Sequence, residues 1–177
     1  MPVTRKQPES AARTELGRLN IRWMIRRDMP EVMEIETSGF LDPRTEDEFA
    51  RCLRSRMTIG MVVESIHPGR QDRIVGFMIY ELQKTQLEIL NFAVSPDDWR
   101  RGVGTAMVDK LKGKLSLQRR TQLLVEVRET NLAAQLFFRS QGFKATRILP
   151  DNLVEDAYEM VCRHPGLDDI EAGRPAR

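Results

Sequence analysis

A chain of 177 residues with 41% hydrophobic and 31% charged side chains has the size and balance of one globular domain, which excludes a disordered or membrane-spanning polypeptide. No apolar run approaches the ~20 residues that cross a bilayer, and residues 1–18 lack the apolar block of a signal peptide, so the expected location is cytoplasmic. A net charge of +2 is too mild to imply a nucleic-acid partner. Two distant cysteines, Cys52 and Cys162, with only His67 and His164 beside them, imply no disulfide framework, metal site or histidine-based mechanism.

In chain order, residues 1–19 are rich in Arg, Glu, Ser and Ala and read as a flexible tail. Residues 21–25 read as a strand, and Asp28 with Pro30 supplies a cap and a first-turn proline for a helix to Ser38. Phe49, Cys52 and Leu53 fall at helical spacing and predict a second helix over 44–56. Three strands follow at 58–65, 73–83 and 86–94, joined by turns at His67-Pro68-Gly69 and Lys84-Thr85, which makes an antiparallel meander.

Val103, Met107, Val108, Leu111 and Leu115 then mark an amphipathic helix that begins just after Gly102. Residues 123–127 read as a strand, 131–140 as a helix ended by Gly142, and 143–149 and 157–161 as closing strands. The order is β-α-α-β-β-β-α-β-α-β-β without repeats. Residues 20–163 form the expected domain, and 164–177 read as a second tail.

The junction from Val94 to Ala106 joins a strand to a helix through a basic, glycine-bearing turn. The first N–H groups of a helix have no partner within it, and the helix dipole favours anions there. Gly102 and Gly104 leave room for close approach and Arg100 and Arg101 add charge, so a pyrophosphate is the natural ligand; packing alone is the other reason for glycines at such a place. No Gly-Lys-Ser/Thr follows, and a meander precedes, which rules out a Walker loop and a dinucleotide fingerprint.

The run from Val94 to Ala106 resembles the acetyl-CoA signature of the GNAT superfamily, Gln/Arg-x-x-Gly-x-Gly/Ala after a strand ending in Val-x-Pro. The likeness continues through Asn91-Phe92-Ala93-Val94, Leu124-Val125-Glu126-Val127-Arg128, Asn131, residues 138–143 and Glu155-Asp156-Ala157, covering residues 20–163. In this order the set is similar to the RimI-type branch, bacterial enzymes that acetylate the N-terminal alanine of a small-subunit ribosomal protein. Two positions depart from the pattern. Trp99 stands where the signature has Gln or Arg, and Phe138 stands where the branch carries a tyrosine as general acid for the departing thiolate.

The resemblance implies an α/β (α+β) GNAT fold, a mixed, mostly antiparallel sheet of six to seven strands with helices on both faces, splayed between the fourth and fifth strands. It implies acetyl transfer from acetyl-CoA, without a metal, to an amine: a protein N-terminus such as that of a ribosomal protein, or alternatively a lysine or small-molecule amine. A weakly catalytic acetyl-CoA sensor is the third alternative. No membrane partner is expected, and the chain is a monomer or homodimer.

For the cosubstrate the resemblance implies backbone groups of Phe92, Ala93 and Val94 at the splay and a pyrophosphate turn over Arg100, Arg101, Gly102, Val103, Gly104 and Thr105. Asn131 bonds the pantetheine arm, caps its helix, or both. Of Phe137 and Phe138, one packs in the core and one lies beside the CoA sulfur; Tyr80 or Tyr158 replaces the missing acid if either lies near that sulfur. Glu126 interrupts an apolar strand, where an unpaired carboxylate has a raised pKa suited to a general base. Glu88 is the competing base. The alternative for Glu126 is a solvent-facing carboxylate or a pair with Arg128 or Arg101.

Overall fold

The computed structural model describes residues 16–151 and 155–167. Most of both expected tails, and part of the loop before the last strand, lie outside the described residues. One seven-stranded sheet, in the order β1-β2-β3-β4-β5-β7-β6, organises everything else. Its strands are β1 (Arg18–Trp23), β2 (Thr58–Ile66), β3 (Arg73–Leu82), β4 (Gln86–Val94), β5 (Gln122–Arg128), β6 (Lys144–Leu149) and β7 (Ala157–Arg163). All neighbouring strands run antiparallel except β4 and β5. A parallel pair needs a crossover, and helix α3 (Val103–Lys112) supplies it.

Strand alternation gives the sheet two apolar faces, and each is covered. Val103, Met107, Val108 and Leu111 of α3 pack with Phe138 of α4 (Leu132–Ser140) against Met78, Leu87, Ile89, Leu123 and Val125. Helix α1 (Met29–Gly39) and helix α2 (Glu46–Leu53) place Val32, Ile35 and Phe49 on Val62, Phe77 and Ile79 of the other face. Burying side chains of this size contributes roughly 1.5–3 kcal/mol each before entropy is counted, so the two layers fix the sheet between them.

Local chemistry moves several boundaries from those expected. Strand β1 begins at Arg18, so Arg18 and Leu19, assigned above to the tail, belong to the sheet: Leu19 and Ile21 pack inward while Arg18 pairs with Ile66. The strand stops at Trp23, and the Asp28 side chain does not cap α1. Its carboxylate instead accepts from the Ile25 N–H at 2.8 Å and from both Nη groups of Arg22 at 2.6 and 2.8 Å; burial pushes its pKa up, and these hydrogen bonds together outweigh it and hold the carboxyl below its ordinary value. Helix α2 is shorter than predicted because Thr45 and Glu48 form a reciprocal capping box that sets its start. Cys52 and Cys162 are both free thiols.

Candidate active site

Strands β4 and β5 pair from Gln86 with Gln122 to Ile89 with Val125 and no further, although β4 continues to Val94 and β5 to Arg128. The cause lies in β4. Ile79 faces Asn91 while Tyr80 faces Ile89, which leaves Leu90 as an extra residue. Such a bulge bends its strand, and beyond it the two strands part, so the splay implied by the resemblance is present.

The register decides which backbone groups face the gap. Ser95 donates its N–H to the Val75 carbonyl at 2.9 Å, so Val94 and Gly76 form a non-hydrogen-bonded antiparallel pair. Phe92, opposite Met78, has the same parity. The N–H and C=O of Phe92 and Val94 therefore point into the gap, whereas Ala93 faces Phe77 and directs its own to β3. Of the three residues expected to offer backbone groups, Ala93 is the one whose ladder position turns them away.

Past Val94 the chain makes a short 3-10 turn and enters α3. Arg100 has φ 61° and Gly102 φ 85°, a left-handed pair that turns the chain into the helix. A Cβ added at Gly102 would meet nothing within 4 Å, so glycine is there for its conformation and the space above it is open. Gly102 offers no side-chain cap, and the first helical N–H groups, of Val103, Gly104 and Thr105, have no partner within α3. Open space, free donors and the positive end of a helix dipole fit a phosphate. Gly104 has a different reason to be glycine: a Cβ there would lie 2.9 Å from the tip of the Phe137 ring, so it admits α4 rather than a phosphate.

The two arginines of the turn differ. Arg101 donates to Asp98 at 2.8 Å, and Asp98, fully buried, also receives both Nη groups of Arg73 at 2.6 and 2.8 Å. The Arg101 guanidinium, expected to add charge for a phosphate, thus helps lock the turn to the start of β3. Arg100 has no such partner among the described residues. Nothing local in the sequence marks Asp98 as a buried anchor or Arg73 as its counter-ion.

Asn131 accepts from the Ala134 N–H at 3.1 Å and so caps α4. Phe138, 4% exposed, packs among Phe92, Phe137 and Phe143 at ring separations of 5.1–5.4 Å. It belongs to the core, and Phe137 is the ring between Phe92 and the start of α3. Tyr80 is buried with its hydroxyl 3.8 Å from the Met61 sulfur, and Tyr158 lines a groove of about 660 Å³ with Leu132, Leu136 and Arg139 of α4.

Glu126 and Glu88 occupy the sheet face that α1 and α2 cover, opposite to Leu87, Leu123 and Val125. Glu126 stands one step beyond the last β4–β5 pair, at the mouth of the gap, and is exposed with no partner among the described residues. Its alternative partners are engaged elsewhere, Arg128 with Glu155 at 3.4 Å and Arg101 with Asp98. Glu88 lies deeper, level with Leu124 in the paired segment, and accepts from Gln83. Burial first, then repulsion from Glu126 and Glu81, pushes the Glu88 carboxyl above the ordinary carboxylate range, against the Gln83 hydrogen bond.

That shift has a stability consequence. The native state holds the Glu88 proton more tightly than the unfolded chain does, so the charge costs stability once the pH rises through the raised pKa and costs none below about pH 4. Glu88→Gln keeps a partner for Gln83 and is expected to melt higher than the wild type at pH 8, with the advantage gone at pH 4. Thermal unfolding at both values checks the sign.

The α1–α2 connection approaches the same gap. Buried Glu36 accepts from the Arg44 N–H at 2.9 Å and from Asn91 Nδ2 at 3.2 Å, and Arg44 Nη2 reaches the carbonyl of the bulged Leu90 at 3.4 Å. The loop is thereby tied to β4 next to Glu126's side of the sheet. Nothing local in the sequence marks this tie, because Glu36 sits among ordinary helix residues.

Residues 25–143 match the model of the acetyltransferase (GNAT) family. A curated protein of Salmonella typhimurium, [ribosomal protein bS18]-alanine N-acetyltransferase, is 29% identical over 126 residues, covering 68% of this chain and 78% of its own. The crystal structure of the Escherichia coli ribosomal-protein-S18-alanine N-acetyltransferase superposes with a TM-score of 0.69 at 26% identity, over 82% of this chain and 94% of that one. Ard1 of Thermoplasma volcanium gives 0.71 at 26% identity, over 82% and 97%.

Proposed function

The chain belongs to the acetyltransferase (GNAT) family, and from that premise we propose that it acetylates the α-amine of a protein N-terminus, with Glu126 as the base. Enzymes of this family are acyltransferases that use acetyl-CoA as cosubstrate. The observation that carries the finer reading is an exposed carboxylate with no protein partner at the mouth of a gap whose other wall offers free backbone groups. The relatives that act on a ribosomal protein's N-terminal alanine support the choice of acceptor.

In this reading each group has one task. The backbone of Phe92 and the N–H of Val94, whose carbonyl already accepts from the Trp99 indole, bind and orient the pantetheine arm or the thioester carbonyl, and the N–H groups of Val103, Gly104 and Thr105 with Arg100 hold the pyrophosphate. Glu126 accepts a proton from the acceptor's ammonium, directly or through one water, so that a neutral nitrogen attacks the carbonyl carbon. The C–N bond forms, the C–S bond breaks, the sulfur leaves as thiolate, and the attacking nitrogen releases its second proton to water. With Phe138 in the core and the Tyr80 hydroxyl buried against Met61, water protonates that thiolate, which is a tolerable leaving group at its ordinary pKa. Glu81, Glu88, Glu126 and Glu159 lie on neighbouring strands of one face and make the acceptor side acidic, as suits a cationic amine.

The absence of a phenolic donor supports a second reading, a lysine side chain or small-molecule amine as acceptor. Incubation with acetyl-CoA and two peptide pools, one with free N-termini and no lysine, the other N-blocked with lysine, separates them by mass spectrometry. Acetylation of free termini, alanine foremost, is the expected result. Modification of lysine alone would overturn the N-terminal reading, and silence in both pools would shift it to a small molecule or to a binding-only sensor.

A further inference from the structure

Glu36 is 2% exposed, yet no lysine or arginine side chain pairs with it among the described residues. Its partners there are two neutral donors, the Arg44 backbone N–H at 2.9 Å and Asn91 Nδ2 at 3.2 Å. A carboxylate buried without a cation costs stability, and an apolar side chain would fill the same space without that cost. Such breaches of local consistency gather where function needs a fixed geometry.

The two donors belong to different elements. Arg44 stands at the end of the α1–α2 connection, just before the Thr45 cap of α2, and Asn91 follows the bulge in β4. That bulge shifts the alternation of the strand: Leu87 and Ile89 pack on the α3 face, Leu90 and Ala93 on the α1 face, where Asn91 meets Glu36. Leu90 and Glu126 are the first residues past the last β4–β5 pair, and Arg44 Nη2 reaches the Leu90 carbonyl. The buried carboxylate thus closes the connection into a loop and sets it beside the mouth of the gap. We propose that Glu36 is a positioning residue for the acceptor: through the Arg44 N–H and Asn91 it holds the α1–α2 connection as one wall of the passage by which the amine reaches Glu126. The inference rests on the reading of Glu126 as the base at that mouth.

Exchanging the two side chains tests this. Asn91→Asp alone sets two carboxylates face to face, and Glu36→Asp, one methylene shorter, cannot span both donors. The double variant Glu36→Gln/Asn91→Asp reverses one hydrogen bond and keeps both, because the new amide donates to the new carboxylate while its oxygen still accepts from Arg44. Strand β4 stays held by its ladder to β3, where Asn91 pairs with Ile79, so the connection moves rather than the strand. With whichever peptide pool the wild type acetylates, kcat/KM for the acceptor is expected to fall about 10²-fold in Asn91→Asp and about tenfold in Glu36→Asp, mostly through KM, and to recover in the exchange variant. Calorimetric affinity for acetyl-CoA should hold in all three. Thermal unfolding fixes an assay temperature at which each variant is folded, and if Asn91→Asp does not fold, Glu36→Asp against the exchange variant carries the comparison. A lower melting temperature with an unchanged acceptor KM would overturn the proposal, as would an exchange variant no better than the single ones. Full activity in Glu126→Gln beside a raised acceptor KM in the Glu36 variants would remove the base and leave the wall standing.

Discussion

Glu126→Gln is expected to lower kcat by about 10²–10⁴-fold, the usual worth of a positioned general base, while acetyl-CoA binds as before. The amide keeps the size and one acceptor oxygen of the carboxylate but cannot take a proton. Since Glu126 is exposed and has no partner among the described residues, its replacement breaks no contact and stability should hold. Steady-state rates with saturating acceptor, beside a calorimetric titration with acetyl-CoA, check both halves. An unchanged rate would remove Glu126 as base.

Glu88 is the control that makes this result informative. Its raised pKa suits a base by chemistry, but its position is deeper, where β4 and β5 are still paired and Gln83 holds it. A carboxyl that attacks no proton in the gap should tolerate Glu88→Gln with most of its activity intact. The two groups are also coupled: removing the Glu126 charge takes away one of the repulsions that raise Glu88, so its pKa should fall in Glu126→Gln. If the Glu88 variant is the dead one, the roles exchange and the gap's mouth is only a passage.

How far the sequence foretold this site depends on whether the chemistry was local. The order of strands and helices was legible because apolar periodicity changes from two to 3.6 at each junction, and the turn after Val94 was legible because a glycine pair between strand and helix has few uses. The departure of β4 from β5 was accessible only through the resemblance, since a one-residue bulge at Leu90 leaves no mark in an alternating strand. Gly102 and Gly104 look alike in sequence, yet one serves a positive φ and the other admits Phe137. Phe137 and Phe138 are adjacent, and a helix rotation of 100° sends one to the turn and the other into the core. Long-range polar pairs were invisible for a simpler reason: Asp98 with Arg73, and Glu36 with Asn91, join residues far apart in the chain, so no spacing rule can select them.

Asp98→Asn should cost about 3 kcal/mol, near the lower end for breaking a buried charged pair, and should weaken acetyl-CoA binding as well. Asp98 is fully buried while Arg73 and Arg101 keep 32% and 21% of their side-chain surface, so the released guanidinium groups can partly rehydrate, which limits the loss. Asparagine still offers one carbonyl oxygen, but its amide group would face N–H donors it cannot satisfy. Loss of that anchor frees the segment from Pro96 to Gly102 from the start of β3, and the left-handed Arg100 and Gly102 then lose the frame that holds them. Chemical denaturation should show the stability loss, and the KM for acetyl-CoA should rise while the acceptor KM holds. Arg73→Lys keeps the charge but not the two-pronged geometry, so it should fall between the wild type and Asp98→Asn in both measurements. A pure stability loss with unaltered acetyl-CoA KM would mean that the turn keeps its shape without the clamp, and that the left-handed residues alone set the N–H donors at the start of α3.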